Sequence, residues 1–250
     1  MKEIKIVVNQ AFGFHKEVIG HLPERWEEVT QPQLIAIAGM YMHEQTQTAM
    51  LAQLSGINEK YIKQFTDFEL FNILHDLYFM TDYRPRNCFI IQYINKLIAP
   101  KYKLDGLTWE QFIFVDTYFH EYMGDANDEI LNKFVAHLYL QKNEIFSHSV
   151  CMNRAASKTI TAIPHVTKVA VTINYRLIYE WICSIYPLVF RKSGVNKQET
   201  SQKFNPGWIR IHETIVGDDL LNYEKYGQLQ AHNVLRFISN KIKDNARKRK

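Results

Sequence analysis

The chain has 250 residues, of which 46% are hydrophobic and 22% are charged, with a formal net charge of +4. These values are typical of a globular protein and exclude a disordered chain; the length allows one large domain or two small ones. The three cysteines stand far apart, which predicts reduced thiols in a reducing compartment. No apolar run reaches about 18 residues and no leader pattern opens the chain, so we expect a soluble, intracellular protein.

The N-terminal residues predict a small β element, because residues 3–8 and 12–19 are rich in β-branched side chains. We assign residues 1–30 to this element and its linker, and residues 31–250 to a helical domain. Thr30 is a good helix cap, and Pro32 suits a first helical turn, where its missing N–H costs nothing. The expected fold class is mainly α, a multi-helix globular bundle with a small N-terminal β element and roughly 55–65% helix.

Two capping boxes mark further helix starts, at Thr66 with Glu69 and at Thr108 with Gln111. The first helix is expected to bury Phe68, Phe71, Leu74, Leu77 and Tyr78. The second carries an aromatic stripe, and a short connection around Gly124 joins it to a helix over residues 127–140. So short a connection predicts an antiparallel helix pair.

Several later segments are read from their composition. Residues 88–98 fit either a strand or a helix, whereas the polar residues 141–162 and 191–203 predict flexible loops. Pro164 opens a long helix that ends near Tyr186. Asn205 and Pro206 predict the start of a helix that carries Trp208, and residues 229–245 form the last helix.

The sequence contains no recognisable catalytic, cofactor-binding or metal-binding motif, and we expect a protein that is not an enzyme. His120-Glu121 and His212-Glu213 resemble the start of a zinc-protease motif, but the positions four residues after each histidine hold Gly124 and Val216. No phosphate-binding glycine loop or hydrolase elbow is present. An enzyme with an unrecognised site remains an alternative.

Basic residues are concentrated at the C-terminal end. Residues 236–250, the basic C-terminal segment, contain one acid, Asp244, and seven basic residues: Arg236, Lys241, Lys243, Arg247, Lys248, Arg249 and Lys250. One interpretation is a solvated helix end whose cations complement the helix dipole. The other is weak, non-specific contact with nucleic acid.

Three stretches together resemble proteins encoded in the tail-gene region of phages and prophages. They are residues 22–30 (LPERWEEVT), residues 107–112 (LTWEQF) with the later AHLYL, and the unit of Gly207-Trp208, Gly217-Asp218 and the closing helix. Nothing matches over residues 146–162. The resemblance implies a tail assembly chaperone or a structural component of the particle, with a head–tail connector or ring component as an alternative. It also implies other phage tail or virion proteins as partners, a possible homo-oligomer, no membrane, and a location in the host cytoplasm or the virion.

Trp208 has two possible roles. As a structural residue, it would pack against the closing helix near Leu235 or Ile238. As an interaction residue, it would bind a partner.

Overall fold

The computed structural model of the chain describes residues 1–9, 15–190 and 207–248. It confirms the mainly α fold, with 63% helix and an N-terminal β-hairpin. The helices are Gln31–Tyr41 (α1), Gln47–Ser55 (α2), Glu59–Ile62 (α3), Asp67–Asp76 (α4), Trp109–Gly124 (α5), Asp128–Leu138 (α6), His148–Ala155 (α7), Lys158–Thr161 (α8), His165–Ile185 (α9), Gly207–Val216 (α10), Tyr223–Gly227 (α11) and Ala231–Lys248 (α12). The strands are Lys2–Asn9 (β1), His15–Leu22 (β2), Tyr93–Ile94 (β3), Leu97–Ile98 (β4) and Leu140–Gln141 (β5).

The N-terminal hairpin pairs β1 with β2 in an antiparallel register that places Ile6 opposite Val18. Ile6 and Leu22 are buried in the common core, whereas most other side chains of the hairpin are exposed. A Cβ on Gly20 would lie 2.5 Å from Cγ1 of Ile57, a separation that real structures do not tolerate. Because an isolated two-stranded hairpin is marginal in water, this close seat on the helical body stabilises it.

Side-chain caps open α1, α2 and α3, and the one at Thr30 was predicted. Thr30 and Gln33 form a capping box at α1, and Thr46 accepts the backbone N–H of Ala49 at α2. Asn58 caps α3 in the same way, by accepting the N–H of Lys60. These polar contacts satisfy N–H groups that a helix leaves unpaired in its first turn.

Helix α9 lies at the centre of the bundle, and α5 and α6 pack against it as the predicted pair. Their antiparallel direction follows from Gln111 at the start of α5, whose Nε2 donates to the carbonyl of His137 at the end of α6 (2.9 Å). Tyr175 of α9 sits between Phe119 and Phe134, with ring centroids 4.9 and 5.4 Å away. Aromatic side chains from all three helices therefore build the middle of the core.

The ambiguous residues 88–98 are mostly irregular, with β3 and β4 forming a small hairpin that β5 extends. The amide oxygen of the buried Asn174 accepts the backbone N–H groups of Ile90 (2.8 Å) and Ile91 (2.9 Å). The segment is thus fixed by a side chain of α9 rather than by secondary structure of its own.

The prediction of a loop over residues 141–162 is wrong, because α7 and α8 lie there. Cys151, Ala155 and Ile160 are buried on the inner side of these helices. Arg154 is buried as well, and its guanidinium donates to both carboxylate oxygens of Glu144 at 2.8 and 2.6 Å. Polar composition misled the prediction because several of the polar side chains find partners inside the fold.

Candidate functional site

The most exposed aromatic side chains of the described residues lie on α4 and on the 3-10 helix Leu77–Thr81 that follows it. Phe68, Phe71 and Tyr78 are 72%, 66% and 70% exposed. The prediction that these three rings are buried is therefore wrong, although Leu77 is buried as expected. The physical reason is rotational: the helix turns its aliphatic residues, not its aromatic ones, toward the core.

These residues form one stripe, which we call the α4 seam: Phe68, Phe71, His75 and Tyr78. On α4, the spacing of three and four residues from Phe68 to Phe71 to His75 is that of the contact positions in a coiled coil, which aligns side chains along one helical face, and Tyr78 follows three residues later on the 3-10 helix. All four are exposed. The seam therefore has the pattern of a helix that packs against another helix, although no other described element covers it.

Acidic side chains flank the α4 seam. Asp67 and Glu69 are exposed at its start, and the Glu69 carboxylate also caps the helix by accepting the N–H of Thr66 at 2.8 Å. These hydrogen bonds to Thr66 hold the pKa of Glu69 below its usual value. At the other end, Asp76 pairs with the Nζ of Lys2 at 2.5 Å. Helix α4 contains no Lys or Arg, so all of its formal charges are negative.

Helix α12 begins in the core and ends in solvent. Val234 and Leu235 are buried, Ile238 is partly buried, and Phe237 is 47% exposed. Over residues 241–248 every side chain is exposed except Ile242, which is half-buried. The predicted interaction residues Lys241, Lys243, Arg247 and Lys248 all lie on this outer part, whereas Arg249 and Lys250 fall outside the described residues.

No acidic side chain of the described residues pairs with these four cations. Lys241 instead places its Nζ 5.4 Å from the ring centroid of Phe237, a cation–π contact. The outer half of α12 thus combines an exposed aromatic ring with charges that lack an acidic partner in the described part of the molecule.

Trp208 is partly buried and lies on α10, with its ring against the aromatic side of α5. Its centroid is 5.4 Å from that of Trp109, 5.2 Å from that of Phe112 and 5.5 Å from that of Phe190. Its indole N–H donates to Oδ2 of Asp116 at 2.7 Å. These contacts favour the structural role for Trp208. Its expected contact with Leu235 or Ile238 of α12 stays a prediction.

Asp116 is a buried carboxylate that the sequence analysis did not identify. Besides the bond from Trp208, it accepts one from the hydroxyl of Tyr175 at 3.4 Å, and Nε2 of His120 lies 3.6 Å away. Burial raises the pKa of Asp116, while His120 and the two hydrogen bonds act in the opposite direction. The sequence did contain a sign of this burial, because Asp116 lies four residues after Phe112 and three before Phe119, on the face of α5 that these rings bury.

A second polar cluster lies between α6 and α7. Nδ1 of the buried His137 lies 2.6 Å from the carbonyl of Lys133, and its Nε2 lies 3.0 Å from Nδ1 of His148. Because a carbonyl only accepts, Nδ1 of His137 carries the proton and Nε2 accepts from His148. Burial lowers the pKa of His137 to about 4. The Phe114 ring stacks on His148 with 3.9 Å between centroids.

This second cluster is suited to structure rather than to nucleophilic chemistry. Cys151 is buried beside Nη2 of Arg154, which lies 3.1 Å from its Sγ. Despite this cation, burial raises the pKa of the Cys151 thiol, so the thiol is protonated at neutral pH. A reactive cysteine requires the opposite combination of a lowered pKa and access from solvent. The sequence analysis missed the cluster because it treated the segment as a loop.

A shallow cleft of about 250 Å³ lies between α1, the β3–β4 hairpin and the start of α9. Gln31, Asn95 and Thr167 supply its polar lining. Within residues 1–9, 15–190 and 207–248, no three His, Cys, Asp or Glu side chains gather as metal ligands. No helix in the same ranges has the length and apolar character to cross a membrane.

No protein-family model, curated protein or solved structure matches this chain.

Proposed function

We propose that this chain is a non-enzymatic morphogenesis protein of the phage-tail type, acting as an assembly chaperone or as a structural component of the particle. The observation that carries the proposal is the α4 seam, an exposed row of aromatic side chains at helix-packing spacing. A protein whose function is to assemble with others needs such a face, because burial of its rings stabilises the complex.

The pattern of the seam matters more than its exposure. Single exposed apolar residues are ordinary on any protein surface. Here Phe68 and Phe71 lie one turn apart on α4, and the exposed Tyr78 follows on the adjoining 3-10 helix. Each aromatic ring offers about 150–250 Å² of surface for burial. The two buried polar clusters, around Asp116 and around His137, use their polar atoms in hydrogen bonds within the chain. They therefore offer fewer free groups for catalysis than the α4 seam offers surface for binding.

The phage assignment rests on the resemblance of residues 22–30, 107–112 and the Trp208 unit to proteins of phage tail-gene regions. It gives other tail or virion proteins as partners and the host cytoplasm or the virion as the location. A head–tail connector or ring component satisfies the same surface requirement.

The test is removal of the gene from the genome that encodes it, followed by complementation. We expect deletion to abolish assembled tails in electron micrographs of lysates, and Phe68→Ser/Phe71→Ser to fail to restore them. The matched control is Ile145→Ser, which changes a side chain that is 80% exposed outside the seam. Normal tails in the deletion strain would overturn the proposal. The chain's presence in purified particles assigns a structural role, and its absence assigns a chaperone role.

A second candidate function is weak, non-specific binding of nucleic acid through α12. The observation that favours it is the exposure of Lys241, Lys243, Arg247 and Lys248 without acidic partners in the described residues. Deleting residues 246–250 removes four cations, which corresponds to a salt slope of about −3 to −4 on duplex DNA. Filter binding at several salt concentrations measures that slope. Unchanged binding after the deletion rules out this role for the segment, and unfolding curves check that the truncated chain folds.

A further inference from the structure

We infer that the α4 seam receives the outer half of α12 from a second copy of this chain, so that copies associate head to tail. The inference rests on the proposed assembly function and names the partner at the same site. Three properties of the two surfaces support it: their apolar side chains, their lengths and their charges.

Both helices carry apolar side chains that stay exposed or half-buried within the single chain. The α4 seam offers three aromatic rings, and α12 offers Phe237, which is 47% exposed, together with the half-buried Ile238 and Ile242. Ile238 packs partly against the core of its own chain, and Ile242, four residues later, continues the same face of α12 beyond it. Packing Ile242 between rings of the seam would remove apolar surface of both copies from water.

The lengths of the two surfaces also match. At a rise of 1.5 Å per residue, the seam spans about 15 Å from Phe68 to Tyr78, and residues 237–248 of α12 span about 17 Å. One helix can thus cover the other along its exposed part, since residues 237–248 follow Val234 and Leu235, the last fully buried side chains of α12.

The charges select an orientation. The outer half of α12 carries Lys241, Lys243, Arg247 and Lys248 against the single acid Asp244. When the helices run antiparallel, this basic end lies beside Asp67 and Glu69, and Phe237 lies toward Tyr78. The same orientation places the negative end of the α12 dipole against the positive end of α4. Asp76 contributes less, because Lys2 already pairs with it.

Charge also argues against the simplest alternative, a two-fold pair of α4 helices. The charged residues of α4 are Asp67, Glu69 and Asp76, so such a pair would bring acid against acid. It would also leave the cations of α12 unpaired. A head-to-tail contact uses two different surfaces, which each copy carries once, and it repeats into a ring or a filament.

Two blocked variants test the inference by sedimentation velocity over a range of protein concentrations. The seam variant is Phe68→Ser/Phe71→Ser, and the α12 variant is Phe237→Ser/Ile242→Ser. We expect the native chain to form oligomers that grow with protein concentration. They should dissociate in about 1 M salt, where the Debye length falls to about 3 Å and charge pairs are screened. Each variant alone should be monomeric. A 1:1 mixture should form dimers and nothing larger, since only one productive contact remains.

The control is Tyr93→Ser/Ile145→Ser, which changes two exposed apolar side chains elsewhere and should oligomerise like the native chain. A native chain that stays monomeric at every concentration overturns the inference, as does a mixture that stays monomeric. Oligomers of the α12 variant alone would show that the seam pairs with itself. A monomeric native chain that is still required for tail assembly refutes this inference while leaving the proposed function intact.

Discussion

Helices α4 and α5 begin with the same local signature and end in opposite environments. Each opens with a threonine that accepts the N–H of the residue three positions later, Glu69 or Gln111. Each carries aromatic residues in its first two turns. Yet Trp109 and Phe112 of α5 are buried, whereas Phe68 and Phe71 of α4 are exposed.

The difference lies in what the rest of the chain provides. Glu69 completes a capping box within α4, but Gln111 reaches across to the end of α6. Helix α5 is further fixed on one flank by Asp116 with Trp208 and on the other by rings that contact His137. A capping motif therefore determines where a helix begins, while side chains distant in sequence determine which face is buried. The predictions below test this contrast, from the largest expected effect to the smallest.

Truncation of a ring on α5 should have the largest effect. Trp109 is fully buried and its ring contacts Phe112 and Trp208. We expect Trp109→Ala to lower the free energy of unfolding by about 3–5 kcal/mol, because it leaves a cavity in a packed core. Urea unfolding measures the change. A loss below about 1 kcal/mol would contradict the burial of this ring. Trp109→Phe should cost less, since the buried indole N–H lacks a hydrogen-bond partner.

The flank of α5 that faces His137 should be sensitive to acid. Burial lowers the pKa of folded His137 to about 4 from 6.5, so the unfolded chain takes up the proton first. This contribution to stability is complete above pH 6.5 and is lost as the pH falls toward 4, in total by about 3 kcal/mol. The fall in unfolding free energy from pH 7 to 4.5 should be smaller in His137→Gln than in the native chain, where His148 and His212, whose pKa values burial also lowers, add to the full slope. His21→Gln, at an exposed position, is the control and should retain it.

The opposite flank should show a smaller effect with the opposite pH dependence. Asp116→Ala leaves the Trp208 indole N–H and the Tyr175 hydroxyl without their acceptor, at a cost of about 1–3 kcal/mol. The pKa of Asp116 is raised above its ordinary value of 3.8, so the folded chain holds this proton more tightly than the unfolded chain does. The free energy of unfolding therefore falls as the pH rises above 3.8. Asp116→Asn keeps an acceptor oxygen but cannot ionise. Its unfolding free energy should lack this fall, and an unchanged slope would contradict the assignment.

The α4 seam should be nearly neutral for folding. We expect Phe71→Ala to change the free energy of unfolding by less than about 0.5 kcal/mol, as for other exposed positions. The measurement is the urea midpoint at a protein concentration where the chain is monomeric. A loss of 2 kcal/mol or more would show that the ring packs within its own chain, and would remove the contrast with Trp109.

The sequence predicted the parts of the fold that depend on neighbouring residues. The caps at Thr30, Thr66 and Thr108 are local, and the structure confirms all three. Residues 141–162 were predicted wrongly because their order depends on distant contacts, such as Arg154 with the carbonyl of Ala136. The exposure of Phe68 and Phe71 was equally out of reach, since aromatic residues at helical spacing usually face the core.

Of the predicted interaction residues, the four described basic ones lie at the surface. Trp208 is only partly exposed, and its indole N–H is already bound to the carboxylate of Asp116. The burial of Asp116 could have been inferred from the sequence, because this acid occupies a core position within the aromatic stripe of α5. The partner that makes it tolerable lies 92 residues away in sequence, and no local pattern reveals it.

The contact between Gly20 of the N-terminal hairpin and Ile57 lies near one end of β2, so a small displacement of Gly20 becomes a larger one at the other end. Gly20 lies two residues from the inner end of β2 and five from its outer end at His15. At about 3.3 Å per residue, a rotation about the inner end that moves Gly20 by 1 Å moves the outer end by about 3–4 Å. If the hairpin yields to the methyl group of Gly20→Ala, its far end therefore moves several times further than Gly20 itself. The absence of a side chain at Gly20 therefore helps to set the position of the hairpin, together with the burial of Ile6 and Leu22.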